Sequence, residues 1–326
     1  MRAKSEEIAQ VEQMSSVLES PTNAIALSDA AFTSSYATVK FLLKMSRQSS
    51  CKKVTSILFR MLKSFIYDEN PIALFKNHLI FSRSNNKIKH IFGHDVFLPN
   101  YRYFQNTINP KFSPILRRDI ILFHQNTVEK YFKGNIIKNN AVIWRDEING
   151  NICDITVGIS LNNYIESELE LSLRLNGTKI YYLSCMISSG LSFAINESKV
   201  IFIGRVQGVV NQKDKITLFT KLCDGVAPIT ILFAVIQTIA VTVNAKALCG
   251  LKAPNHPYAN NTGMMMNYDK MWSYMASSCE NDEYHVLPLP IVQKPLSDIV
   301  RQHRRRARKR REFKDRVARI VTAALA

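Results

Sequence analysis

Glycine and proline are scarce in this chain of 326 residues, eleven of each, which excludes a collagen-like architecture and a low-complexity linker. Cysteine offers little metal chemistry. The six thiols, Cys51, Cys153, Cys185, Cys223, Cys249 and Cys279, are far apart, with no Cys-x-x-Cys step and no local Cys/His cluster. No metal site is expected, and a chain of this size needs no disulfides to hold its core, so reduced structural thiols are the expectation. Long apolar runs are also missing. The longest, Ile229 to Val243, is interrupted by Thr230, Gln237, Thr238 and Thr242 and falls short of the roughly 20 residues that span a bilayer. A buried helix is expected there, and no transmembrane segment. The opening Met1-Arg2-Ala3-Lys4-Ser5-Glu6-Glu7 puts acids where a signal peptide needs a basic region and an apolar run, so a cytoplasmic location is expected.

What is present is the balance of a globular protein: 46% hydrophobic and 21% charged residues. Residues 1–30 are polar, without a sustained apolar stripe, and read as a flexible arm. Residues 31–135 read as a helical portion. In it, Val54, Ile57, Leu58, Met61, Leu62 and Phe65 form one face of a helix over Lys52–Tyr67, with Lys52, Lys53, Arg60 and Lys63 on the other. Ser113-Pro114 starts a further helix and Gly134 stops it, with Leu116, Ile120, Phe123 and Tyr131 turned to a core and His124 beside them.

From residue 136 the period changes to two. Asn149-Gly150 and Asn176-Gly177 mark tight hairpins, because both residue types tolerate the positive φ of two-residue turns. Strands are expected near Ala141–Ile148, Asn151–Ser160, Glu168–Leu175, Thr178–Ile187 and Lys199–Gly204. Helices follow over Lys213–Cys223 and Pro228–Val243, then a strand at Ala245–Leu251, a helix at Tyr268–Ser277 and a strand at Tyr284–Leu289. Residues 295–326 form a long basic helix after Pro295. The fold class is α+β: a helical N-terminal portion, an antiparallel meander, and a strand–helix–strand order over 136–294.

The terminal helix carries the strongest charge signal. Arg301 to Arg319 holds nine arginines and two lysines against two acids, which is more than half of the chain's net +17. Between Arg301 and Glu312 only Ala307 suits a core. Same-sign pairs at i,i+4 each cost an isolated helix about 0.2–0.5 kcal/mol, so an acidic partner is expected. Arg304, Arg305, Arg306, Arg308, Lys309, Arg310 and Arg311 are the candidate phosphate-binding residues, for RNA, for anionic lipid headgroups at a membrane surface, or against an acidic face of the protein itself.

A second constellation is Ile201 to Val210, read as a strand entering a glycine-containing turn before a helix, where backbone amides can cradle a pyrophosphate. Arg205-x-x-Gly208-x-Val210 resembles the Arg/Gln-x-x-Gly-x-Gly/Ala coenzyme A loop of GNAT-type acyltransferases, and the order of elements around it is similar to that fold. The resemblance implies acyl-CoA as cofactor, with Gly204, Arg205, Gln207 and Gly208 holding its phosphates, while His256 or Tyr268 handles the proton. Val210 departs from the pattern, and a plain strand-to-helix turn stays open. Gly93-His94-Asp95 is a weaker pairing of imidazole and carboxylate.

Finally, Asn176-Gly177, Ile201 to Gly204, Gln207-Gly208, Thr220-Lys221, Gly225, Tyr268-Asp269-x-x-Trp272, Leu287-Pro288, Lys294-Pro295-Leu296 and the basic closing helix resemble the VirK/YbjX proteins of enteric bacteria, over about residues 70 to 320. That resemblance implies a bacterial cytoplasmic protein tied to virulence, outer-membrane remodelling and surface-protein display. Its pattern has His-Gly and Pro-Lys where this chain has Asp224-Gly225 and Pro228-Ile229, and Arg where it has Ala259, so an inactive descendant of an enzyme is a further implication.

Overall fold

A computed structural model describes residues 108–132, 136–137, 140–160, 167–257, 267–275 and 283–325. The chain divides into two compact units, Met1–Arg83 and Ser84–Ala326, and the described residues belong to the second. The N-terminal arm, the Lys52–Tyr67 helix and Gly93-His94-Asp95 lie outside the described residues.

The elements are α1 (Pro114–Tyr131), β1 (Ala141–Ile148), β2 (Asn151–Ile159), β3 (Leu169–Leu175), β4 (Thr178–Ser188), β5 (Val200–Gly208), α2 (Lys213–Leu222), α3 (Pro228–Val243), β6 (Ala247–Leu251), α4 (Tyr268–Tyr274), β7 (Tyr284–Pro288) and α5 (Arg301–Leu325). The fold is mixed α+β, as the change of period predicts. The seven strands lie in chain order in one sheet, antiparallel except where β5 meets β6 in parallel.

Local chemistry sets most boundaries. At both Asn-Gly turns the two central residues have positive φ, 50° and 73° in each case, the type I′ geometry that suits the twist of paired strands. Ser113 caps α1 by accepting a bond from the Leu116 amide at 3.2 Å, and Pro114 costs nothing in the first turn, where its missing donor would go unused. Pro228 opens α3 in the same way, and Asn244 closes it in the left-handed conformation.

The sheet has two apolar faces. Cys185 and Ile187 of β4, opposite Ile203 and Ile201 of β5, lie with Leu183 in a core shared with α3, Trp144 of β1 and α5. The opposite face carries Phe202 stacked on Phe193 at 5.0 Å, with Tyr284 edge-on to Phe193 at 5.4 Å. The apolar run of α3 is a buried helix, with Ile231, Leu232, Val235, Ile236 and Ile239 in the core. Among the described residues no helix is long and apolar enough to cross a membrane.

α5 begins at Arg301, not directly after Pro295, because Leu296–Asp298 forms a separate 3-10 turn, and it runs on to Leu325. Its second half docks on the core through Phe313, Val317, Val321 and Leu325, spaced by four so that they form one stripe. Phe313 meets Trp144 edge-on at 6.1 Å.

Candidate active site at the open edge of β5

β5 is bonded to β4 along its whole length, but to β6 only through Val200, Ile201 and Phe202. From Ile203 onward the two parallel strands part, and among the described residues no strand lies beside that edge of β5. Such an edge presents amides and carbonyls that must be paired or solvated. Gly204 is central to the divergence. The register with β4 passes from Ile203 opposite Cys185 to Arg205 opposite Ser184, leaving Gly204 as the extra residue of a bulge, a position that glycine commonly marks within a strand.

The segment Gly204–Gly208 is thus strand to its last residue, and the expected turn moves to Val209–Gln212. The reason is non-local. β4 is eleven residues long and reaches far enough for Tyr181 to pair with Gly208, so the second glycine serves close packing: a Cβ there would lie 3.1 Å from Ile216 and 3.4 Å from the Tyr181 ring. Arg205 and Gln207, two apart on the strand, project together. The Arg205 guanidinium donates to Gln207 Oε1 at 2.8 and 3.0 Å and lies over the Tyr182 ring.

Two side chains close the open edge. After β6 the chain makes a 3-10 turn at Ala253–Asn255 and brings His256 back, with Nε2 3.0 Å from the Gly204 carbonyl oxygen. Because a carbonyl only accepts, Nε2 carries the proton and Nδ1 is the basic nitrogen. Tyr268, at the start of α4, accepts from the Val206 amide at 3.3 Å. The two rings stack at 4.8 Å, both buried. Burial lowers the His256 pKa, the Gly204 bond works against that fall, and the Arg205 charge adds to it, so the imidazole is neutral at physiological pH.

A supporting layer holds these groups. Asp269 Oδ1 accepts from the Ala253 amide at 3.0 Å and from His285 Nε2 at 2.9 Å, tying the 3-10 turn, α4 and β7 together. Burial alone would raise the Asp269 pKa, but the His285 and Ala253 bonds and the charges of His285 and Lys252 outweigh it and hold the carboxyl below its ordinary value. Trp272 stacks on His285 at 6.0 Å and covers Gly250 of β6. A cavity of about 200 Å³ opens beside His256, lined by Asn109, Pro110, Lys111, Pro254, Asn255 and Pro257.

His256 and Tyr268, named from the sequence as alternatives for one proton-handling role, are in contact, and both touch the strand that carries Gly204, Arg205, Gln207 and Gly208. His285 and Trp272 complete the arrangement without having been candidates for chemistry. The one sequence signal for His285 is a titratable residue inside the otherwise apolar Tyr284–Leu287 strand.

The basic residues of α5 separate into two groups. Arg304 donates to the Ser297 and Ile299 carbonyls, both at 2.8 Å, Arg310 to the Gly225 carbonyl at 2.7 Å, and Arg311 to the Lys294 carbonyl. Lys309 stands 3.7 Å from Asp224, and the guanidinium of Arg306 lies against Gly225. These contacts hold the first half of α5 to the rest of the unit. Arg301, Arg305 and Arg308 are exposed, as Arg304, Arg306 and Lys309 also are, but among the described residues make no side-chain hydrogen bond or ion pair. The four described cysteines, Cys153, Cys185, Cys223 and Cys249, are free and buried.

The fold and site define a mixed α+β protein whose parted parallel strands are sealed by a buried His–Tyr pair. The chain belongs to the family described as protein of unknown function DUF535, whose model matches residues 72–323. No curated protein and no solved structure matches it.

Proposed function

We propose that this protein is an acyl-CoA-dependent acyltransferase with a GNAT-like core, or the binding-competent descendant of one. We infer further that it is a VirK/YbjX-type bacterial protein acting in the cytoplasm on a component of the cell envelope, in keeping with the resemblance to virulence and outer-membrane-remodelling proteins. One observation carries the chemistry: β5 and β6 part after Phe202, and a neutral histidine and a tyrosine, both buried, bond the backbone groups of β5 where β6 leaves it. An extended thioester arm lies along this edge as a strand does once the His256 and Tyr268 bonds to Gly204 and Val206 are exchanged for bonds to the arm. Gly204 to Gly208 then line its path; in the turn before α2 the Val209 amide donates to the Ile180 carbonyl and the Gln212 amide to the Val209 carbonyl, so the phosphates fall to the amides of Val210 and Asn211.

In this reading the acceptor's amine or hydroxyl attacks the thioester carbonyl carbon, and His256 Nδ1 takes the proton it loses. As the C–S bond breaks, the electron pair stays on sulfur and the Tyr268 hydroxyl supplies a proton to the leaving thiolate. His256 returns its proton to Tyr268 or to solvent, closing the cycle. The exposed Val210 narrows the approach of the phosphates to the turn.

Calorimetry with acetyl-CoA and a longer acyl-CoA tests the reading. Binding is expected, with a rise in Tm by mass action, and Gly208→Asp should abolish both by crowding the end of β5 against Ile216 and Tyr181, with the melt of the ligand-free variant as the control for its fold. Heat signals absent at millimolar ligand would overturn it. Binding without turnover of any acceptor would identify the inactive descendant.

A further inference from the structure

The first half of α5 bears a cationic face that the fold leaves open. Relative to the docked stripe of Phe313, Val317, Val321 and Leu325, helical spacing puts Arg306 and Arg310 on the same side and Arg301, Arg305 and Arg308 on the opposite one. The contacts agree: Arg306 and Arg310 lie against Gly225, whereas among the described residues Arg301, Arg305 and Arg308 make no side-chain hydrogen bond or ion pair; exposure does not divide them, since Arg306 is exposed as well. The first turn has no acid, and cations there oppose the positive end of the helix dipole. Among the described residues the acids near this face are Asp224 beside Lys309, Asp298 bonded to Ser297, and Glu312, which the same spacing puts on the open face one turn after Arg308, so three arginines there stand against one carboxylate.

Exposed aliphatic side chains occur in the segment that leads into this helix. Val300, 64% exposed, immediately precedes the helix, and Val292, 90% exposed, belongs to the segment that Arg311 grips through the Lys294 carbonyl and Arg304 through Ser297 and Ile299. The stretch from Ile291 to Glu312 has no Phe, Tyr or Trp, and His303 is its one ring on which a base could stack, whereas two valines protrude from it. Cations bordered by protruding aliphatic groups are the chemistry of an anionic lipid surface, where arginine meets headgroup phosphate and valine enters the acyl boundary.

We propose that the open face of α5, Arg301, Arg305 and Arg308 with Val292 and Val300, docks this protein on an anionic membrane surface. The proposal stands independently of acyl transfer. The full chain should float with phosphatidylglycerol–phosphatidylethanolamine vesicles, lose them as salt rises, and ignore pure phosphatidylcholine. Arg301→Gln/Arg305→Gln/Arg308→Gln should weaken partitioning roughly a hundredfold at unchanged Tm, because these side chains project away from the docked face. Val292→Ser/Val300→Ser should also weaken it, while preserving the dependence on salt. Failure to float, or flotation of either variant equal to the parent, would overturn the proposal. So would a chain that ignores vesicles but binds polyuridylate RNA through the same arginines, since the face would then serve nucleic acid.

Discussion

Trp272→Ala is expected to lower stability by about 3–5 kcal/mol, the range for truncating a large buried aromatic. Trp272 is 1% exposed, lies edge-on to Phe233 at 6.1 Å, stacks on His285 and fills the space above Gly250. For a unit of this size each kcal/mol shifts Tm by roughly 2–4 °C, so a fall on the order of 10 °C should appear in a thermal melt. Gly250→Ala reaches the same contact from below, because a Cβ would come within 2.8 Å of Trp272 Cε2. Overpacking of this kind costs about 1–3 kcal/mol. Both changes loosen the layer that positions Asp269 and the 3-10 turn bearing His256. A Trp272→Ala melt within a degree or two of the parent would show that this layer is not a support at all.

His256→Gln separates the two duties of the histidine. The glutamine amide can still donate to the Gly204 carbonyl, so the edge stays sealed and the fold is retained, but the base is gone. Transfer from acyl-CoA should fall by about 10²–10⁴, the usual contribution of a positioned acid or base, with acyl-CoA affinity little changed. Stability against pH provides a second readout that needs no substrate. The folded pKa of His256 lies below its ordinary 6.5, so on acidification the unfolded chain takes up that proton first. Its contribution to stability is complete above pH 6.5 and is lost as pH falls from there towards the folded value. In His256→Gln this part of the slope should vanish. A parent profile flat across that window would mean that the imidazole is not held neutral, and undiminished transfer by the variant would remove His256 from the chemistry.

The parts of the fold that were legible in the sequence depend on short-range chemistry. Asn149-Gly150 and Asn176-Gly177 fix their hairpins with two residues each, and Pro228 and Asn244 bracket α3, because positive φ and a missing amide are local properties. Gly204 shows the opposite case. A glycine after an apolar run reads equally as a turn or a bulge, and only the reach of β4 decides that β5 continues to Gly208. The contact between His256 and Tyr268 was hidden for a similar reason, since it exists only because β6 parts from β5 and α4 returns beneath it. In α5 the charge was evident, but the inward arginines were not. They follow from extending the four-residue spacing of Phe313, Val317, Val321 and Leu325 backward to Arg310 and Arg306, a continuation that the arginines mask by pairing with Gly225 where an apolar residue would pack.

The central claim is that a CoA thioester uses the open edge of β5, and a crystal structure with a non-hydrolysable acyl-CoA analogue tests it most directly. The account predicts the analogue extended along Ile203 to Gly208, its acyl carbonyl next to His256 and Tyr268 and its phosphates at the Val209–Gln212 turn. An analogue seated elsewhere, for instance in the cavity of about 500 Å³ between α3 and α5 that Gln237, Lys246 and Lys314 line, with the β5 edge still sealed, would contradict it.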